Sequence, residues 1–221
     1  FCTLSACALS NVVDPVNYEV REKLYMDIVK KYKKTEIDKM PQILSLIIDE
    51  LENNPQQDLL GNIYMELNFG NKGTGQFFTP YCVSFRMAEM MGSAKDKELE
   101  ALNEPCVGAG GMVIAQFKSG REKDINAHAV CMDIDINCVH MAYIQLYLLG
   151  IPAVIYHANS LSLEVWSEWK TFAHVVELWD IKLRKHYNKE KPDIEAHDNN
   201  VTIENTEPLS VFELLAPFQT E

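Results

Sequence analysis

Nothing in this 221-residue chain approaches the ~20 consecutive apolar residues that a membrane-spanning helix needs, so no span is expected. No C-x-x-C pair occurs, and no histidine cluster sits at zinc-ligand spacing, so no metal site is expected. The six cysteines (Cys2, Cys7, Cys82, Cys106, Cys131 and Cys138) lie mostly in apolar stretches. They read as small core residues in a reducing cytoplasm rather than as a disulfide framework. Positive charge is also short: 20 Lys and Arg against 32 Asp and Glu leave a net charge of −12. Non-specific nucleic-acid affinity comes from neutralising phosphates, so the chain is not expected to grip a polyanion unaided. There are no internal repeats and no Pro-Pro dipeptide. Leu4-Ser5-Ala6-Cys7 has the outline of a bacterial lipoprotein box, but nothing basic or long and apolar precedes it, and it reads as coincidence. The chain does not begin with methionine, which is compatible with a fragment of a longer protein.

What remains is a composition ordinary for a soluble globular protein, 47% hydrophobic and 24% charged. Its length allows one domain, or a domain with a small added lobe. The first third reads as helices. Asp14-Pro15 is a cap and first-turn proline, after which Tyr18, Leu24, Tyr25, Ile28, Val29 and Tyr32 recur at helical spacing. Lys30, Lys31, Lys33 and Lys34 read as the solvated basic end of that helix. Further helices are expected over 38–53 and 58–69, and a Gly- and Lys-containing loop over 70–75 closes the lobe. From Thr79 onward the texture alternates: helix 79–91, strand 101–103, a Gly-rich turn at 108–111, a helix, strand 127–132, helix 137–149, strand 153–156. Such alternation predicts an α/β fold with a parallel sheet. Val165, Trp169, Phe172, Val176, Trp179 and Leu183 then step by threes and fours, which predicts one long amphipathic helix. A polar stretch over 189–200, a strand at 201–203 and a short helix at 209–215 complete the reading. The organisation is thus a helical lobe over 1–72, a core over 73–162, and an aromatic helix with a polar tail over 163–221.

Three ligand-type signals follow one another in the core. The first is Gly75-Gln76-Phe77-Phe78-Thr79-Pro80, a glycine-hinged loop entering a helix. A helix N-terminus offers unpaired N–H groups and partial positive charge to a ligand carboxylate. Thr79 adds a hydroxyl, and the Phe pair supplies apolar walls. The second is Asn103-Glu104-Pro105-Cys106-Val107-Gly108-Ala109-Gly110-Gly111. Its glycines let the backbone approach a ligand, and Glu104 is an acid suited to a positively charged amino group. A carboxylate beside glycine amides suits the two charged ends of an amino acid better than a pyrophosphate. The spacing is also Gly-x-Gly-Gly, not the dinucleotide G-x-G-x-x-G. S-adenosylmethionine is therefore preferred over NAD, and a nucleotide-dependent oxidoreductase is the weaker alternative. The third signal is Asp133, at the end of the next strand, where an acid accepts hydrogen bonds from ribose hydroxyls. Asp135 is expected to cap the following helix.

Over residues 61–161 the chain resembles the methylation subunit of type I restriction–modification systems and its adenine-methylase relatives. Gly75 to Pro80 is similar to that family's cofactor-contacting G-Q-F-F-T-P segment, and Glu104 to Gly111 resembles its D-P-A-C-G-S-G-G loop with Glu in place of Asp. Asp133 falls where the family carries its ribose-binding acid. His157-Ala158-Asn159-Ser160-Leu161 resembles the H-G-D-S-L turn whose acid approaches the cofactor's adenine, with Asn159 in the acid's place. The resemblance implies a Rossmann-like S-adenosylmethionine-dependent methyltransferase fold behind a helical N-terminal lobe. It implies cofactor-binding roles for Gln76, Phe77, Phe78, Thr79, Pro80, Glu104, Pro105, Cys106, Gly108, Gly110, Asp133 and Asn159. It implies methyl transfer to adenine in DNA, reached through a partner or specificity subunit or a homo-oligomer. Family members also use an N-P-P-aromatic turn that holds the adenine amine and stacks on the flipped base. This chain has none: Ala216-Pro217-Phe218 is the nearest echo, and the helix with Trp166, Trp169 and Trp179 stands in the turn's place. No catalytic residue is assigned, and a non-catalytic cofactor-binding or assembly module is the alternative.

Overall fold

The computed structural model describes residues 1–67, 77–91, 99–119 and 126–190. The expected tail strand, the tail helix and Ala216-Pro217-Phe218 lie outside them. In the core, β1 (Glu100–Glu104), β2 (Ala127–Asp133) and β3 (Ala153–Asn159) run parallel. They are linked by α7 (Gly111–Lys118) and α8 (Ile136–Leu148). Residues of β2 divide by parity between two apolar clusters, Ala129 and Cys131 on one face, Val130 and Met132 on the other. β3 does the same with Ile155 against Val154 and Tyr156. This double burial is why both strands read as near-continuous apolar runs rather than as alternating ones.

The leading helices are α1 (Cys2–Ser10), α2 (Tyr18–Val29), α3 (Lys34–Ile37), α4 (Met40–Asn53) and α5 (Leu59–Glu66), with α6 (Tyr81–Met91) before the sheet. Ile47 and Leu51 of α4 and Leu60 of α5 join the same cluster as Val113, Ile114 and Ile144 of α7 and α8, so lobe and sheet share one core. α1 lies before the first helix that the sequence reading places, which begins at Asp14. Leu4, Ser5, Ala6 and Cys7 are all buried, so this helix has no apolar stripe to give it away. The lipoprotein-like residues are thus part of a buried helix. All six cysteines are free, with Cys7, Cys131 and Cys138 buried.

The long helix expected over 165–183 is overturned. β4 (Glu164–Lys170) pairs antiparallel with β3, and α9 (Phe172–Val176) and α10 (Trp179–Glu190) follow. Val165, Trp166 and Trp169 suit a strand, where Trp169 is buried opposite Ile155. Thr171 caps α9 by accepting the His174 N–H, and Leu178, at φ 57°, turns the chain left-handed between the two helices. The strand order is β1-β2-β3-β4, which places β1 at the edge of the described sheet. Buried Arg21 joins the lobe to β4: its guanidinium pairs with Asp14 and Ser10, donates to the Glu168 carbonyl at 2.6 Å and lies 4.3 Å over the Trp169 ring. No helix among the described residues is long and apolar enough to cross a membrane.

Candidate functional site

β1 ends at Glu104, and the chain turns through residues 105–110 before α7 begins at Gly111. Gly108 (φ 55°) and Gly110 (φ 100°) take left-handed conformations that other residues adopt only with strain. The turn is fastened to the end of β2. Val107 N–H donates to the Met132 carbonyl at 2.8 Å, and Gly108 N–H donates to Asp133 Oδ2 at 2.9 Å. The other Asp133 oxygen accepts the Asp135 N–H at 2.9 Å, while Asp135 itself caps α8 as expected. Asp133 therefore shapes the glycine turn as well as facing it.

A cleft of about 180 Å³ opens at this turn, lined by Phe77, Phe78, Thr79, Glu104, Cys106, Val107, Gly108 and Gly111 among others. Two of the segments singled out in the sequence thus meet in space. Phe78 is the hinge between them. Its ring would lie 3.2 Å from a Cβ at Gly108 and stacks on Tyr64 of the lobe at 5.5 Å between centroids. The Pro80 carbonyl accepts the N–H groups of Val83 and Ser84, setting the first turn of α6 beside the cleft. Gln76 lies outside the described residues. Pro80, Pro105, Gly110 and Asp133 adjoin the lining without forming it, and Asn159 stands apart. Asn159 Oδ1 accepts the N–H groups of Leu161 and Ser162, closing the turn after β3.

The electrostatics of the cleft are one-sided. Among the described residues no Lys or Arg lines the cleft, whereas Glu104 and Asp58 do. Burial pushes the Glu104 carboxyl above its ordinary range, the Cys106 N–H at 3.4 Å offsets this in part, and the Asp133 charge adds to it. Burial raises Asp133 likewise, against the pull of its backbone hydrogen bonds. Desolvated carboxylates near one another favour a cation between them. Such a cleft fits the ammonium and sulfonium charges of S-adenosylmethionine, and disfavours a pyrophosphate.

The sequence reading missed Asp58 as a lining residue. Asp58 precedes α5, accepts the Gly61 N–H at 3.0 Å and is only 3% exposed. Gln145, wholly buried on α8, holds it there. The Gln145 amide nitrogen donates to Asp58 Oδ1 at 2.9 Å and to the Ala109 carbonyl at 2.7 Å, and its oxygen accepts the Leu60 N–H at 3.0 Å. One side chain thereby ties the lobe to the glycine turn. Among the described residues no group of three or more His, Cys, Asp or Glu is placed to hold a metal ion.

A family model for N-6 DNA methylases matches residues 55–206, from just before Asp58 to beyond α10. No curated protein matches the chain. Among solved structures, a class I S-adenosylmethionine-dependent methyltransferase from Listeria monocytogenes is similar at 14% identity and a TM-score of 0.41. That alignment covers 72% of this chain and 54% of the other, so the chain spans about half that protein's length. A likeness so loose speaks to neither site nor activity.

Proposed function

Because the chain belongs to the N-6 DNA methylase family, we propose that the cleft at the glycine turn binds S-adenosylmethionine for methyl transfer to adenine in DNA. The observation that carries this reading is the pair of desolvated acids, Glu104 and Asp133, at a glycine turn whose cleft is lined by no cationic side chain among the described residues. Glu104 takes the cofactor's amino group. Thr79 and the start of α6 take its carboxylate, with Phe77 and Phe78 as apolar walls, and Gly108 and Cys106 allow the backbone to come close. Asp133 has lone pairs beyond its backbone contacts for the ribose hydroxyls. Asn159 keeps its amide N–H groups for the adenine edge. When bound, the cofactor supplies a methyl group made electrophilic by its sulfonium. The chain's own residues fix where that group points and keep water from the charged end.

The DNA side is a proposal of a different kind. A net charge of −12 leaves the phosphate contacts to a partner, as in a restriction–modification assembly with a specificity subunit, in a reducing cytoplasm that suits six free thiols. One observation favours a second reading, a non-catalytic assembly module. The chain has no N-P-P-aromatic turn, and β4, which follows the third parallel strand, pairs on the side of β3 away from β1.

Calorimetry with S-adenosylmethionine tests the cofactor reading, and Asp133→Ala is expected to weaken binding by about 1–3 kcal/mol. Wild-type protein that takes up no cofactor overturns it. Cofactor binding without methyl incorporation into adenine-containing DNA, with partner subunits present, leaves only the assembly module; robust incorporation removes that reading.

A further inference from the structure

We propose that Asp58 and Ser84, from the helices flanking the cleft, complete with Glu104 the site for the cofactor's α-ammonium group. This rests on the S-adenosylmethionine reading above. Both residues line the cleft, Asp58 at 3% exposure and Ser84 at 0%. Both hydrogen bonds to the Asp58 carboxylate, from Gly61 N–H and the Gln145 amide, end on Oδ1. Oδ2 has no partner among the described residues. It packs against Gly61 and Gly111, where a Cβ at the latter would lie 2.9 Å from it, so the start of α7 comes this close only because glycine stands there. Ser84 Oγ is buried and likewise has no hydrogen-bond partner among the described residues.

Capping alone does not account for this arrangement. The cap of α5 uses Oδ1, and a mid-helix serine of structural origin ordinarily bonds back to the carbonyl four residues earlier. The Pro80 carbonyl accepts the Ser84 N–H, as in any helix, but the Ser84 hydroxyl makes no such bond, and the residue lines the cleft. A buried hydroxyl without a partner is rare, and one that lines a small cleft together with a carboxylate marks a place for a polar ligand group. An ammonium has three N–H donors and no acceptor. A carboxylate oxygen, a hydroxyl and a second carboxylate supply three acceptors, whereas an anionic group would meet Asp58 unfavourably. Burial raises the Tyr81 hydroxyl to about 12, and the Asp58 charge adds to that rise, so the carboxylate acts on this corner of the cleft.

Calorimetry on the 221-residue chain tests the assignment with S-adenosylmethionine, S-adenosylhomocysteine and 5′-methylthioadenosine, which lacks the amino-acid end. Asp58→Asn keeps the Oδ1 cap and removes the charge; it is expected to weaken both amino-acid-bearing ligands about tenfold or more and leave 5′-methylthioadenosine unchanged. Ser84→Ala removes an unpartnered hydroxyl, so its thermal midpoint should hold or rise while the same two ligands weaken several-fold. Unchanged affinities in Ser84→Ala, or equal losses for all three ligands, overturn the assignment and leave the cofactor reading intact. A loss confined to S-adenosylmethionine moves Asp58 to the sulfonium and also overturns it. If Asp58→Asn does not fold, Ser84→Ala decides. A wild-type chain that binds none of the ligands removes the cofactor reading itself.

Discussion

On one face of the sheet, α1, α4, α5, α7 and α8 bury a continuous apolar cluster that includes Val113, Ile114, Tyr143 and Ile144. On the other, α10 covers a smaller cluster through Trp179 and Leu183. The first face carries two buried polar clamps, Arg21 at β4 and Gln145 at the cleft. The second is supplemented by a polar chain. His128 Nε2 and His174 Nδ1 lie 2.8 Å apart, His174 Nε2 is 3.3 Å from Asp180, and Lys170 holds the other Asp180 oxygen at 3.0 Å. Where apolar area is abundant, polar groups are free to shape a site; where it is scarce, they hold a helix on the sheet. The site is therefore a property of the first face, and the attachment of α10 a property of the second.

The sharpest way to break this contrast is Trp179→Ala. Trp179 is 1% exposed and central to the smaller cluster, so its loss should cost about 3–5 kcal/mol by urea denaturation. Cofactor affinity under folding conditions should change little; a matched loss would mean that the second face also sets the site. Gln145→Leu should do the reverse. It strands the Ala109 carbonyl and the Leu60 N–H and strips one donor from Asp58, costing on the order of 2–3 kcal/mol and loosening both walls of the cleft. Stability and affinity should fall together, and affinity at the wild-type value would show that the clamp is only structural.

Acid provides the mildest perturbation. Burial holds His140, on the first face, down to about 4 and His128, on the second, well below its ordinary value, with His174 and the lysines 170 and 182 adding to the latter and Asp180 opposing. Both folded values lie below that of the unfolded chain. Their share of stability is thus complete above about pH 6.5 and lost as pH falls toward the folded values. His140 alone should remove on the order of 2 kcal/mol between pH 7 and pH 5. Asp180, held low against burial by His174 and Lys170, keeps its contribution until the solution is more acid still. Denaturation across this range should flatten in His140→Leu, and an unaltered slope would place the acid sensitivity elsewhere.

The parallel core was legible because each of its elements carries its own punctuation. Pro80 opens α6, glycines turn the chain into α7, and Asp135 caps α8. One omission and one failure have a shared cause, which is that apolar spacing reports a face only when there is one face. In α1, four consecutive residues are buried and no period survives. Between positions 165 and 183, a strand and two helices happen to space their apolar residues in threes and fours, with no Gly or Pro to mark the breaks at Thr171 and Leu178. The segments that meet at the cleft could be read from their motifs. Asp58 could not, beyond its place at a helix start, because its position in the cleft depends on Gln145, 87 residues further along the chain.

That single glutamine also bears on how the protein can be taken apart. The lobe looks like a detachable module in sequence, but its ligand wall is registered to the glycine turn by a side chain that belongs to neither. A chimera that exchanges residues before the sheet for those of a relative would inherit a lobe without its locating pin unless α8 travelled with it. The unit of exchange is the lobe, the turn and α8 together, and the natural cut points lie outside all three.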